Sequence, residues 1–217
     1  MYRWNVFSVL ALAALLFFVD LPEVEAADWE SIGVTDGVAV SRMHVRGSSV
    51  FAFRGEIVAD VHISKIMEVF TNPNQRRHWV DRYHSHETLE QTRLHELYWI
   101  RFSLPPGISD RDYLLRADLE IDEGKKVVTA RIRSVVDNRW PEQDCCVRAT
   151  TQTFYEFTAL DNNRTRMIVE VHTDPMGRLP SWLVNRIQRG WPSTTLSNLY
   201  ARAQADSIRN HADYRNW

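Results

Sequence analysis

After a chain that reads almost throughout as β-strand, a long helical segment closes the sequence. Across residues 38–172 most segments alternate apolar and polar residues, the pattern of half-solvated β-strand. A segment then begins with Asp174-Pro175-Met176-Gly177-Arg178-Leu179-Pro180-Ser181-Trp182-Leu183-Val184-Asn185 and takes up helical spacing. One terminal helix after so much antiparallel strand buries its apolar stripe only by lying across the sheet. A curved sheet gripping a helix leaves a cavity between the two, and function is expected there.

Alternation also says which face looks inward. On the strand after Arg111, one face carries Tyr113, Leu115, Ala117 and Leu119, and the other carries Asp112, Leu114, Arg116, Asp118 and Glu120. Val128, Ala130, Ile132 and Ser134 oppose Thr129, Arg131 and Arg133, and Met167, Val169 and Val171 oppose Arg166, Glu170 and His172. Further strands are expected over residues 38–42 and 50–58, joined at Arg46-Gly47-Ser48-Ser49, and again from Glu87 onward. The one over 94–102 stops at Pro105-Pro106-Gly107, and those over 145–158 and 165–172 pair through Asp161-Asn162-Asn163. Ile63, Ile66, Met67 and Phe70 predict a helix over 62–71, followed by a short helical turn carrying Trp79. Residues 28–32 are expected to form a short helix anchored by Trp29.

The closing helix holds two stripes. Leu183, Ile187 and Trp191 recur at four-residue steps, whereas Leu196, Leu199 and Ala203 lie more than a quarter turn away. Gly190-Trp191-Pro192 sits at the change, where proline removes a donor and kinks or breaks a helix. The expectation is a two-part lid hinged there, with a static kink as the alternative.

At the other end, residues 6–19 are apolar apart from Ser8, and Val24-Glu25-Ala26 offers a small-residue cleavage site. The run is short of the ~20 residues that span a bilayer. A signal peptide over 1–26 is expected, leaving one domain over 27–217 and an exported product, periplasmic or secreted. Removing one arginine and three carboxylates brings the formal charge from −2 to neutral. A neutral chain lacks the basic face that nucleic acid requires. The sequence sets no oligomeric state.

Cys145 and Cys146 are adjacent, and neighbours on a strand point to opposite faces, so a bridge between them is strained. Two unpaired thiols are expected, with an intermolecular bridge or a redox-sensitive pair as the alternative in an oxidising compartment. His78, His84 and His86 flank Trp79 without a cysteine or spaced carboxylate, which reads as solvated imidazole, not a metal site. No Gly-x-Ser-x-Gly, His-Glu-x-x-His or Gly-x-Gly-x-x-Gly occurs, so no catalytic residue, metal or cofactor is expected.

Several short pieces taken in order resemble the START domain, the steroidogenic-acute-regulatory-protein-related lipid-transfer family. They are Gly37-Val38-Ala39-Val40, Trp79, Pro105 through Ser109-Asp110-Arg111-Asp112-Tyr113, Val147-Arg148-Ala149, and the segment from Asp174 to Asn185 followed by Gly190-Trp191-Pro192. The last is most similar to the phosphatidylcholine-transfer branch. The resemblance implies an α+β helix-grip fold, a strongly curved antiparallel sheet around a long C-terminal helix, with a tunnel for one lipid. Glu96 then falls where the family places a cavity acid, and Arg111-Asp112 on its Arg-Asp pair. A cavity arginine of sterol-binding relatives, six residues after that Arg, is replaced here by Ala117, which points away from sterol and leaves Glu96 without a partner on that strand. Arg148, Arg101 or a ligand group is expected to reach it, since an unpaired buried carboxylate is costly. Arg111-Asp112 is expected to be a structural ion pair before a ligand contact.

On this reading Tyr98, Ile100, Phe102, Tyr113, Leu115, Ala117, Ala130, Ile132, Val169 and Val171 wall the tunnel. Leu183, Leu196 and Leu199 roof it, and Glu96 and Arg111 are candidate head-group contacts. The implied function is lipid binding and transfer, phospholipid favoured, with transient contact to a membrane surface. The alternatives are a cyclase- or hydrolase-type enzyme using Glu96 with His95, and a lipid sensor that does not transfer.

Overall fold

The computed structural model describes residues 28–217, so the expected signal peptide lies outside the described residues. Among them, nine strands run in the order β1-β2-β3-β10-β9-β7-β6-β5-β4 in one sheet, and a tenth, β8, pairs with β6. The strands are β1 (Glu30–Thr35), β2 (Val38–Met43), β3 (Ala52–Ala59), β4 (Tyr83–Gln91), β5 (His95–Phe102), β6 (Arg111–Asp122), β7 (Val127–Ser134), β8 (Val147–Arg148), β9 (Thr150–Asp161) and β10 (Arg164–Asp174). All pairings along the main order are antiparallel; β8 alone runs parallel to its neighbour. With α1 (Ile63–Thr71), α2 (Ser181–Gln188) and α3 (Trp191–Ala203), this is an α+β helix-grip fold.

Residues 28–32 do not form the expected helix. Glu30 to Thr35 pair with β2 through the Asp36-Gly37 turn, where both residues have positive φ, and Glu30 bonds Arg42 across the hairpin. The tight turn, not Trp29, decides the local structure.

The closing helix divides where its stripes change phase. α2 ends at Gln188 and α3 starts at Trp191, with Pro192 in its first turn. α3 presses onto β3 at Gly55, where a Cβ would stand 2.8 Å from Pro192 Cβ and 3.3 Å from Leu196 Cδ1. Leu196, Leu199 and Ala203 are fully buried there in the main core with Val38, Ile66, Met67 and Phe157. They are therefore core residues beneath α3, not the roof of a cavity. α2 is more lightly held. Only Val184 is buried, and Asn185 ties the helix down by accepting from Phe51 N–H at 2.9 Å and donating to Ser49 C=O at 3.2 Å.

Leu114, placed on the solvent face by alternation, is also fully buried. β8 lies against the end of β6, and Val135 N–H bonds Leu114 C=O as the chain leaves the sheet. Within this loop Cys145 and Cys146 are joined as a vicinal disulfide, correcting the expectation of two unpaired thiols. A reverse turn, with Cys146 N–H bonded to Gln143 C=O, replaces the extended strand that would have kept the sulfurs apart.

Candidate functional site

The cavity forms because the sheet curls away from α3 at its β4–β7 side. Register sets its wall: Glu96 pairs with Ala117, Ala117 with Ile132, Ile132 with Thr153 and Thr153 with Val171, so one cross-sheet row carries one inward set. The space is about 200 Å³ and is open in part, beside Gln91, Arg93 and His95. One water needs ~10–15 Å³ of such space, so it holds on the order of fifteen waters, or as many methylenes.

Tyr98, Ile100, Phe102, Tyr113, Leu115, Ala117, Ala130, Ile132 and Val171 all stand on this wall, as do Glu96 and Arg111. Four expected residues do not. Val169 lies deeper along β10 in the main core, and Leu196 and Leu199 are held under α3. Leu183 faces elsewhere on α2, whose cavity side is Val184, Ile187 and Gln188. A helix turns 100° per residue, so the neighbour of the expected residue reaches the space instead. Leu179 and Trp191 complete the roof, and Phe70 and Trp79 close the end nearest α1.

Glu96 has a partner that the sequence reading missed. Arg76, in the 3-10 turn Pro73–His78, meets it in a fork at 2.7 and 3.2 Å, and Thr88 donates to the same carboxylate at 3.0 Å. Arg76 is buried and Glu96 nearly so, and the guanidinium lies 4.1 Å from the centre of the Tyr98 ring. Neither Arg148 nor Arg101 is involved. Arg148 bonds Asp112 at 2.9 Å and Arg101 bonds Asp110 at 2.6 Å. The signal for Arg76 was its place in the basic run Arg76-Arg77-His78 before Trp79, on the short helical turn expected there.

Nor do Arg111 and Asp112 form an ion pair. Adjacent strand residues point apart, so Asp112 turns outward to Arg148 and Trp99. Arg111 turns inward and donates to the carbonyls of Pro175, Ser109 and Met176. It is 4 % exposed, and burial pulls its guanidinium below the usual arginine value. Burial acts oppositely on the tyrosines. It pushes Tyr98 up to about 12 and raises Tyr113 and Tyr155 as well, which keeps all three phenols neutral donors.

The polar groups are thus few and differently placed. Arg76, Glu96, Tyr98, Tyr155 and Trp79 gather toward α1, with Trp79 Nε1 buried and unpartnered. Thr151, Thr173, Gln188 and Arg111 lie toward α2. Among the described residues no cluster of histidine, cysteine and carboxylate has the shape of a metal site. The arrangement can enclose an apolar chain and bond a polar group at either end.

The family model described as START domain matches residues 10–204. The phosphatidylcholine transfer protein of Rattus norvegicus is 24 % identical over 183 residues, covering 79 % of this chain and 82 % of that protein. A STAR-related lipid transfer protein fragment from Xanthomonas axonopodis superposes with a TM-score of 0.74 at 25 % identity, covering 82 % of this chain and 99 % of that one. Human StAR-related lipid transfer protein 5 gives 0.75 at 18 % identity, over 83 % and 88 % of the two chains.

Proposed function

This chain belongs to the START domain family, a family of lipid-binding and lipid-transfer proteins, and from that premise we propose that it is exported and carries one phospholipid at a time between membranes. The apolar cavity under α2 carries the reading. Each buried methylene is worth ~0.8 kcal/mol, so a sixteen-carbon chain represents on the order of 13 kcal/mol of exposure to avoid. Only an enclosed space offers burial close to that of the bilayer. In the closed state the space suits about one acyl chain, so a two-chain lipid enters with α2 lifted.

The preference for phospholipid rests on Ala117, where sterol-binding relatives carry an arginine, and on the relatives named for phosphatidylcholine transfer. α3 is pinned at Gly55, so the hinge falls at Arg189-Gly190 and the moving part is α2. Trp182 is 65 % exposed on α2, with Met176 exposed just before it and Arg178 and Arg186 exposed alongside, a composition suited to a lipid interface. The apolar run over residues 6–19 supports export. Glu96 is engaged by Arg76 and Thr88 through three of its roughly four acceptor sites, the bonding of a structural carboxylate, which favours the carrier over an enzyme that uses it as a base.

The test is transfer of fluorescent phospholipid between vesicles by a lid-locked variant, Ser49→Cys with Asn185→Cys, in a background of Cys145→Ser and Cys146→Ser. Transfer is expected to stop when the bridge forms and to resume on reduction. Unaltered transfer by the bridged form sinks the moving lid.

A further inference from the structure

Two features at the α2 end of the cavity ask for a group that the protein does not supply. Arg111 lines the cavity, is almost fully buried, and makes no ion pair with any carboxylate of the described residues. A guanidinium has five N–H donors, and the three carbonyls of Pro175, Ser109 and Met176 take one each, so two remain. The carbonyls fix its orientation without cancelling its charge. Arg76 differs: its charge is already answered by Glu96.

Gln188 is the second feature. Its Nε2 donates to Thr173 C=O at 3.0 Å, while its Oε1 is buried with no partner. The amide cannot profitably turn round, because a carbonyl only accepts. A buried acceptor left unmade costs enough to call for an explanation. The carbonyls holding Gln188 and Arg111 belong to Thr173 and Pro175, two residues apart, or at most ~7 Å of chain.

We infer that Arg111 and Gln188 form a head-group subsite beneath α2, which takes a phosphodiester on the free Arg111 N–H groups and an N–H or O–H donor of its substituent on Gln188 Oε1. The subsite rests on the carrier reading above and narrows it. A phosphoethanolamine or phosphoglycerol head group supplies both halves. A trimethylammonium group supplies the phosphate but no donor, so the cavity discriminates against choline lipids. The tail then runs away from α2 toward Phe70 and Trp79.

The experiment incubates the full protein with vesicles holding equal amounts of phosphatidylethanolamine, phosphatidylglycerol, phosphatidylcholine and diacylglycerol with identical acyl chains. The re-isolated protein is then extracted and its lipid quantified by mass spectrometry. Ethanolamine and glycerol lipids are expected to exceed choline lipid roughly three- to tenfold, one hydrogen bond's worth, and diacylglycerol is expected to be least. Gln188→Leu is expected to level the three phospholipids while still loading them. Gln188→Glu is expected to keep the ethanolamine lipid and shed the glycerol lipid, whose phosphate is not offset by an ammonium. Choline lipid loaded as well as the others by the unaltered protein overturns the subsite, as does a preference that survives Gln188→Leu or diacylglycerol in excess. Failure to load any lipid overturns the carrier reading and the subsite with it.

Discussion

Asn185→Leu should loosen α2 while leaving the rest of the molecule folded. The Asn185 side chain makes two hydrogen bonds to the β2–β3 turn, at 2.9 and 3.2 Å. Each is worth ~0.5–1.5 kcal/mol net, so losing both shifts the lid equilibrium by about 1–3 kcal/mol. That is roughly a 5- to 150-fold rise in the open population. Beyond these, α2 is held by one buried side chain, Val184, and by one hydrogen bond from Gln188 to Thr173 C=O, so little else resists opening. α3 is anchored separately by Pro192 and Leu196 on Gly55. Hydrogen exchange followed by mass spectrometry reads both helices at once. Peptides from α2 should exchange faster by that factor, and peptides from α3 should keep their protection. If the two helices lose protection together, they are one rigid element and the hinge is wrong. If neither changes, Asn185 is not a latch.

Arg76→Met should cost about 3–5 kcal/mol in urea denaturation, because it strands the buried Glu96 charge, and adding Glu96→Met should restore most of it. A double variant as unstable as the single one would show that Arg76 matters through packing on Tyr98 instead. Gly55→Ala should lower the thermal midpoint by several degrees, since its Cβ meets Pro192 Cβ at 2.8 Å; an unchanged midpoint would mean that α3 is not seated on β3. In alkaline titration Tyr98, held up to about 12, should ionise well after the exposed tyrosines. The folded state binds that proton more tightly than the unfolded chain, so stability should fall as pH rises from about 10 toward 12. Alkylation of the native protein should label no cysteine, and two after reduction; a labelled thiol before reduction would contradict the Cys145–Cys146 bridge.

The strands and their inward faces were legible because a period of two maps directly onto burial. Tyr113, Leu115 and Ala117 stand on the cavity wall where alternation put them. Leu196 and Leu199 were misplaced for a different reason. Periodicity shows that a stripe is apolar but not which surface receives it, and the receiving surface is marked by Gly55, a glycine inside a strand where another backbone comes close. The phase change at Gly190-Trp191-Pro192 was visible in the pattern itself, and the helix breaks there. Side-chain partners from distant turns were not visible. Arg76 and Glu96 are twenty residues apart on elements with no shared period, and only the fold brings them together. The inward turn of Arg111 onto three loop carbonyls is of the same kind, since backbone acceptors leave no trace in the sequence. The reverse turn at Gln143 to Cys146 likewise defeated a strand-based argument about the cysteines.

The central claim is that the space beneath α2 is a lipid compartment. It is tested most directly by extracting the freshly purified protein with organic solvent and weighing what comes out by mass spectrometry. The account predicts one phospholipid per chain, and none from the same protein stripped and refolded without lipid. An empty cavity in a protein that instead turns over a reactive ketide, and stops doing so on Glu96→Gln, would contradict it.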